Sequence, residues 1–354
     1  MTAYSAADYD YDCPPDLIAQ HPPAVRGTSR LMVLDRTAAT IAHQHFPDFP
    51  SLLDPGDCLV VNSSRVIPAR LTALRDNGRP AELLLVHEEP DGTWQAMVHP
   101  GGKLKAGRTV RFGTGERQDV RTAGQPSAEI VEVLGSGLRR IRFHDATAHD
   151  IMARFGAVPL PPYIHRAPED ADRERYQTVY ARAEGSVAAP TAGLHFTRDI
   201  MDAMRANGVA IAEVTLHVGP GTFKPLEVEN PDQHVMHAEW YEMPEETAET
   251  IRATRAAGRR VWAVGTTACR VLETRGRVDT WTPGRVSGWT DLFIRPGVEF
   301  QVVDGLLTNF HLPRSTLLML VAAFAGYDLA MRAYREAVQE RYRLYSYGDA
   351  MAIR

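Results

Sequence analysis

Asp199-Ile200-Met201-Asp202-Ala203-Met204-Arg205-Ala206-Asn207-Gly208-Val209-Ala210-Ile211-Ala212-Glu213-Val214-Thr215-Leu216-His217 is the stretch on which the fold class turns. Asp199–Ala206 reads as a helix, Gly208 as the residue that ends it, and Val209–His217 as the strand that follows. The same unit recurs at Pro244–Ala257, Gly258 and Arg260–Val264. There Glu245 and Glu246 occupy the first helical turn, where carboxylates favour the helix dipole. Helices alternating with strands predict an α/β domain, a largely parallel layered sheet covered on both faces. Arg30–Leu34 and Cys58–Asn62 read as earlier strands, the second after the turn Asp54-Pro55-Gly56-Asp57. Thr316–Phe324 and Asp328–Arg341 make a helical C-terminal region.

From Leu71 to Asp145 the texture changes. Short β-like runs (Ala81–His87, Trp94–Val98, Arg108–Phe112, Glu129–Leu134, Arg139–Phe143) alternate with Asp-Asn-Gly, Asp-Gly, Pro-Gly-Gly and Gly-Ser-Gly turns. Regular turns between short strands predict a small antiparallel barrel or sandwich. The expected organisation is therefore a discontinuous α/β domain, 1–70 and 148–354, interrupted by this small β domain at 71–147.

Composition bounds the function classes. A 44% hydrophobic and 23% charged chain of 354 residues has enough apolar residues for a substantial core. Its net charge of −5 leaves no global positive field, so nucleic acid would have to meet a local basic patch. Cys13, Cys58 and Cys269 are too far apart for zinc-ligand spacing, and their odd number with an acidic N-terminus points to a cytoplasmic protein. The longest apolar run, Leu317–Ala325, is well short of the roughly 20 residues of a membrane span.

Five runs rich in hydroxyls, glycine and histidine fall at expected strand ends: Ala188–Phe196, Leu216–Phe223, Val264–Arg270, Leu307–Thr316 and Tyr345–Met351. Open α/β sheets bind ligands outside the carboxyl ends of their strands, so these loops are where a pocket should form. Gly193, Gly219 and Gly221 would let backbone N–H groups approach a ligand, although Gly219-Pro220-Gly221-Thr222 lacks the spacing of a phosphate-binding motif and reads equally as a tight turn. Thr266 opens a helix whose first N–H groups suit a carboxylate or phosphate, or is an ordinary N-cap. His234-Val235-Met236-His237-Ala238-Glu239 places two histidines beside a carboxylate, but it does not match a metal motif, and acid–base or positioning work suits it better. Basic clusters interleaved with Tyr334, Tyr342, Tyr345 and Tyr347 suit unstacked RNA bases without specifying them.

Together with Pro14–Gln20, Ser29-Arg30-Leu31, Arg65–Leu71, Pro161-Pro162-Tyr163-Ile164 and Tyr176–Ala181, the five runs resemble the S-adenosylmethionine:tRNA ribosyltransferase-isomerase family of queuosine biosynthesis from Asp10 to Ile353. The resemblance implies an α/β fold interrupted by a barrel. It also implies an enzyme that moves and isomerises the ribosyl part of S-adenosylmethionine onto 7-aminomethyl-7-deazaguanine at the tRNA wobble position, giving epoxyqueuosine-tRNA, adenine and methionine. S-adenosylmethionine is then a co-substrate, with no metal or other cofactor, and the protein is expected to act as a monomer away from membranes.

Such chemistry needs a base beside the sulfonium, a donor for the leaving adenine and groups that hold the opened sugar. His195 and His217 are the leading base and acid candidates, with Thr191 and Thr222 positioning the sugar or methionine end. Thr308, Asn309 and His311 are candidates to read adenine or the deazaguanine edge. Glu239 or Asp349 would face the sulfonium or the substrate amine, Arg270 the methionine carboxylate, and Arg30, Arg65 and Arg314 the tRNA phosphates. Gly27, Ser63 and His99 depart from the family's common pattern. The loss of a carboxylate at Ser63, His99 and the acidic net charge keep open a free deazapurine or another small acceptor, and a tRNA- or nucleotide-binding paralogue without turnover is the non-enzymatic alternative.

Overall fold

The helix–glycine–strand units become the heart of a nine-stranded sheet in this computed structural model, which describes residues 4–113, 125–223, 226–278 and 284–354. Across the sheet the strands run Val286–Thr290, Glu239–Met243, Ala210–Leu216, Cys58–Asn62, Val261–Val264, Gly305–Asn309, Ala350–Ile353, Arg30–Asp35 and Thr40–His45. The four central strands from Ala210–Leu216 to Gly305–Asn309 are mutually parallel. Antiparallel pairings finish both edges, and only Arg30–Asp35 with Ala350–Ile353 is parallel outside the centre. Cys58–Asn62, Val261–Val264 and Gly305–Asn309 are buried at every residue, as strands covered on both faces must be.

Successive side chains on these strands enter opposite layers. Val60, Ala263 and Leu306 pack with Cys269 and Val271 of helix Gly265–Val278 and with Leu318 and Val321 of helix Thr316–Ala325. Leu59, Val61, Trp262, Val264 and Leu307 pack instead with Phe46, Phe49, Phe196, Met201 and Met204, the last two from helix Arg198–Ala206. Strand Thr40–His45 has no counterpart in the sequence reading. It lies at the sheet edge with no buried residue, so no apolar alternation marks it. Among the described residues no single helix is long and apolar enough to cross a membrane.

Six strands (Arg70–Arg75, Pro80–Glu88, Trp94–His99, Leu138–His144, Ser127–Val133 and Thr109–Arg111) form an antiparallel sheet whose last strand pairs back onto its first. That closure makes the barrel and leaves no free edge between the first and last strands. Leu71, Leu83, Leu85, Ala96, Val110, Ile130 and Ile141 fill its interior, joined by Ile151 and Met152 of helix Ala148–Phe155. Thr147 caps that helix by accepting from the Asp150 N–H, while Asp150 accepts in return from Thr147.

Gly305 lies in a central strand, and a Cβ there would stand 2.3 Å from the Trp262 ring. Gly305→Ala is expected to lower stability by roughly 1–3 kcal/mol through overpacking, read as a reduced midpoint in denaturant unfolding.

Candidate active site

The central strands can expose polar groups only where they end, and Asn62 ties two of those ends together. Its amide donates to the Leu216 carbonyl (3.0 Å), while its Oδ1 accepts from the N–H groups of Leu216 and Ser64. Gly265, at φ +85°, lets helix Gly265–Val278 start directly after strand Val261–Val264. The result is that all five polar runs meet around one cavity, through Thr191, Thr222, Thr266, Thr308, Asn309, His311 and Ser346 among others. No Asp, Glu, Lys or Arg lines it among the described residues. Its enclosed space is only about 40 Å³.

Within that cavity Thr308 Oγ1 and His311 Nε2 share a hydrogen bond of 2.8 Å, and burial pushes the His311 imidazole down to about 3. Asn309 donates through Nδ2 to His195 Nε2 (3.2 Å) and to the Tyr345 carbonyl (3.1 Å). Its Oδ1 is buried with no partner among the described residues. Tyr163 and Ser346, which the sequence reading did not select, bond to each other at 2.6 Å and complete the wall. Pro161–Ile164 contained the signal for Tyr163, as part of a quoted motif.

His195 does not line this cavity. Its Nδ1 lies 2.9 Å from Ser29 Oγ, its ring packs on Phe46, and burial pushes it down to about 3. Both ring nitrogens are thus engaged, and its contact with the site runs through Asn309.

A second, larger space of about 320 Å³ separates the sheet from the barrel. His217 lines it, stacked on Trp240 at 5.1 Å and covered by Gly185, where a Cβ would stand 2.9 Å from the imidazole. Burial, with His87 nearby, pushes His217 down to about 4, and its Nδ1 has no partner among the described residues. Val218 lines both spaces, so the two are neighbours.

A family model described as queuosine biosynthesis protein matches residues 6–353. The S-adenosylmethionine:tRNA ribosyltransferase-isomerase of Symbiobacterium thermophilum is 51% identical over 350 residues, covering 98% of this chain and 99% of the relative. Its namesake from Acetivibrio thermocellus is 48% identical over the same shares. The crystal structure of S-adenosylmethionine tRNA ribosyltransferase from Thermotoga maritima shares 40% identity, covers 98% of this chain and 100% of that one, and superposes with a TM-score of 0.56.

The chain belongs to the S-adenosylmethionine:tRNA ribosyltransferase-isomerase family. Among the charged candidates in this family member, Glu239 stands at the junction of the two spaces. One oxygen accepts from the Gly219 N–H (2.8 Å) and the Thr222 hydroxyl (3.2 Å), and the other is paired with Arg270. Arg270 is thereby committed to Glu239 and to the Thr290 carbonyl, and it lines neither space. Asp349 accepts from the backbone N–H groups of Arg30 (2.9 Å) and Arg343 (2.8 Å), and burial raises its carboxyl above the usual range. It clamps chain segments together outside both spaces. Gly193 and Gly221 pack against Tyr180 and His237, while Gly219 lines the cleft.

The three arginines assigned to RNA lie on separate segments. Arg30 lies over the Tyr342 ring at 3.8 Å and donates to the Glu340 carbonyl, and Arg314 pairs with Glu229. Arg65 sits 3.8 Å from Glu184, itself a cleft residue.

Two outcomes follow from this burial. Glu239→Gln leaves the Arg270 cation buried without its counter-charge, an expected loss of about 3–5 kcal/mol in denaturant unfolding. His195 and His311 bind protons in the folded state only near 3, whereas the unfolded chain binds them near the ordinary value of about 6.5. Their stabilisation is complete above about 6.5 and is lost as pH falls towards 3. The melting temperature should therefore drop across that window, and less steeply in His195→Asn.

Proposed function

We propose that this protein moves and isomerises the ribosyl part of S-adenosylmethionine onto the aminomethyl group of a 7-deazaguanine at the wobble position of tRNA, releasing adenine and methionine. The observation that carries this reading is the pair of adjoining spaces: an uncharged, hydroxyl-lined cavity beside a cleft that holds a neutral, unpartnered histidine. Two substrates need two such places with one common wall.

Thr191, Thr266 and Thr308 supply hydroxyls for the sugar, and the free Asn309 Oδ1 accepts from the exocyclic amine of adenine. His195 holds the Asn309 amide in that orientation. Because the cavity is small, the co-substrate extends past Val218 towards the cleft. His217, neutral at physiological pH, takes the proton from the carbon that the sulfonium has acidified. Glu239 and Arg270 hold the Gly219–Thr222 turn at the point where donor and acceptor meet. Gly27, Ser63 and His99 line neither space, so the departures from the family pattern give no support to a different acceptor.

The test incubates the protein with S-adenosylmethionine labelled in the ribosyl part and tRNA bearing the aminomethyl-deazaguanine, and measures adenine release and transfer of label. His217→Ala is expected to lower kcat by about 10²–10⁴-fold while S-adenosylmethionine still binds. The pH profile gives a second check. With the imidazole held near 4, kcat/KM stays level from pH 7 to 5, where a base of ordinary pKa would lose about 25-fold. Release of adenine without label on the tRNA would refute the acceptor.

A further inference from the structure

The roles above leave most of the cleft lining unused, and that lining has a definite character. Its sheet side presents Trp240 under the His217 ring and, opposite Trp240 in the strand register, Trp289. Trp289 is 56% exposed, whereas Trp94 and Trp262 are buried and Trp240 is half-buried. Among the described residues the ring contact of Trp289 is edge-on from the barrel, His87 at 5.3 Å.

Charge in the cleft has one sign. Among the described residues Glu88, Glu184 and Glu239 line it with no Lys or Arg. Glu239 is matched by Arg270 and Glu184 lies near Arg65, but Glu88 has no ion pair among the described residues. Two buried polar atoms of cleft residues also lack partners there: Trp94 Nε1, a donor on the barrel side, and His217 Nδ1 on the sheet side. Buried polar atoms are rarely left without partners, so a polar ligand is the expected occupant.

Carboxylates without cations repel a phosphate backbone, whereas aromatic faces beside an unpaired carboxylate attract a flat ring that carries a cationic side arm. We propose that this cleft receives the acceptor nucleobase, unstacked from its RNA and laid against Trp289 and the His217–Trp240 stack, with Glu88 of the barrel holding its exocyclic ammonium. The inference rests on the reading given under Proposed function and adds where the acceptor binds and what selects it. A base inside an RNA stack cannot enter such a slot, so the nucleotide must swing out, as it does for other enzymes that act on a base. Val218, the residue common to both spaces, then lies between the base and the co-substrate cavity. The barrel thus becomes part of the specificity machinery.

Steady-state kinetics with the full chain and tRNA bearing the aminomethyl-deazaguanine test this. Trp289→Ala should raise the KM for that tRNA about tenfold or more, with the Kd for S-adenosylmethionine unchanged, and Trp289→Phe should restore most of the loss. Glu88→Gln should raise the same KM while leaving unchanged the inhibition by tRNA carrying plain guanine at that position. A wild-type KM in Trp289→Ala, with turnover intact, overturns the cleft assignment alone. Absence of any transfer to tRNA by the unaltered chain overturns both this inference and the reading beneath it.

Discussion

Burial of the central strands on both faces is the constraint from which the rest of the structure follows. A strand such as Cys58–Asn62 or Val261–Val264 has no solvent side on which to place a functional group. Polar side chains are therefore confined to the strand ends. The parallel strands release their following loops at one edge of the sheet. Ala350–Ile353, antiparallel to Gly305–Asn309, brings the start of its own strand to that same edge. Five polar segments, far apart in the chain, consequently surround one cavity.

The same burial decides what each histidine can do. His195, His217 and His311 are all held neutral, and desolvation is the leading cause in each. Hydrogen bonding then separates them. His195 uses both nitrogens on Ser29 and Asn309, and His311 is tied to Thr308. His217 keeps a nitrogen free, because its ring is held by stacking on Trp240 and by close contact with Gly185. A side chain fixed by its faces retains its edge for chemistry. One fixed by its nitrogens becomes a support for its neighbours.

Glu239 and Arg270 show a comparable division between charge and function. Each residue type invites a role at a sulfonium or a carboxylate, yet the two neutralise each other in a buried pair. Such a pair adds little net stability, but it gives the Gly219–Thr222 turn a defined place between cavity and cleft. The barrel contributes from the opposite side. Its sheet closes on itself and presents His87, Glu88 and Trp94 as the opposite wall of the cleft.

Local pattern was enough to reveal the helix–glycine–strand units, the turn-punctuated barrel strands and the five polar loops, because each is a matter of neighbouring residues and a short period. The order of motifs was enough to indicate the family. Strand Thr40–His45 escaped notice because an exposed edge strand carries no apolar alternation. Trp94, Trp289 and Glu88 escaped because the cleft brings together barrel and sheet segments about 100–200 residues apart in the chain, and no local spacing records that. The sequence by itself determined which residues could serve and which fold would carry them. Tertiary structure alone decided which were free to serve, because the partner that occupies a nitrogen or neutralises a charge lies elsewhere in the chain.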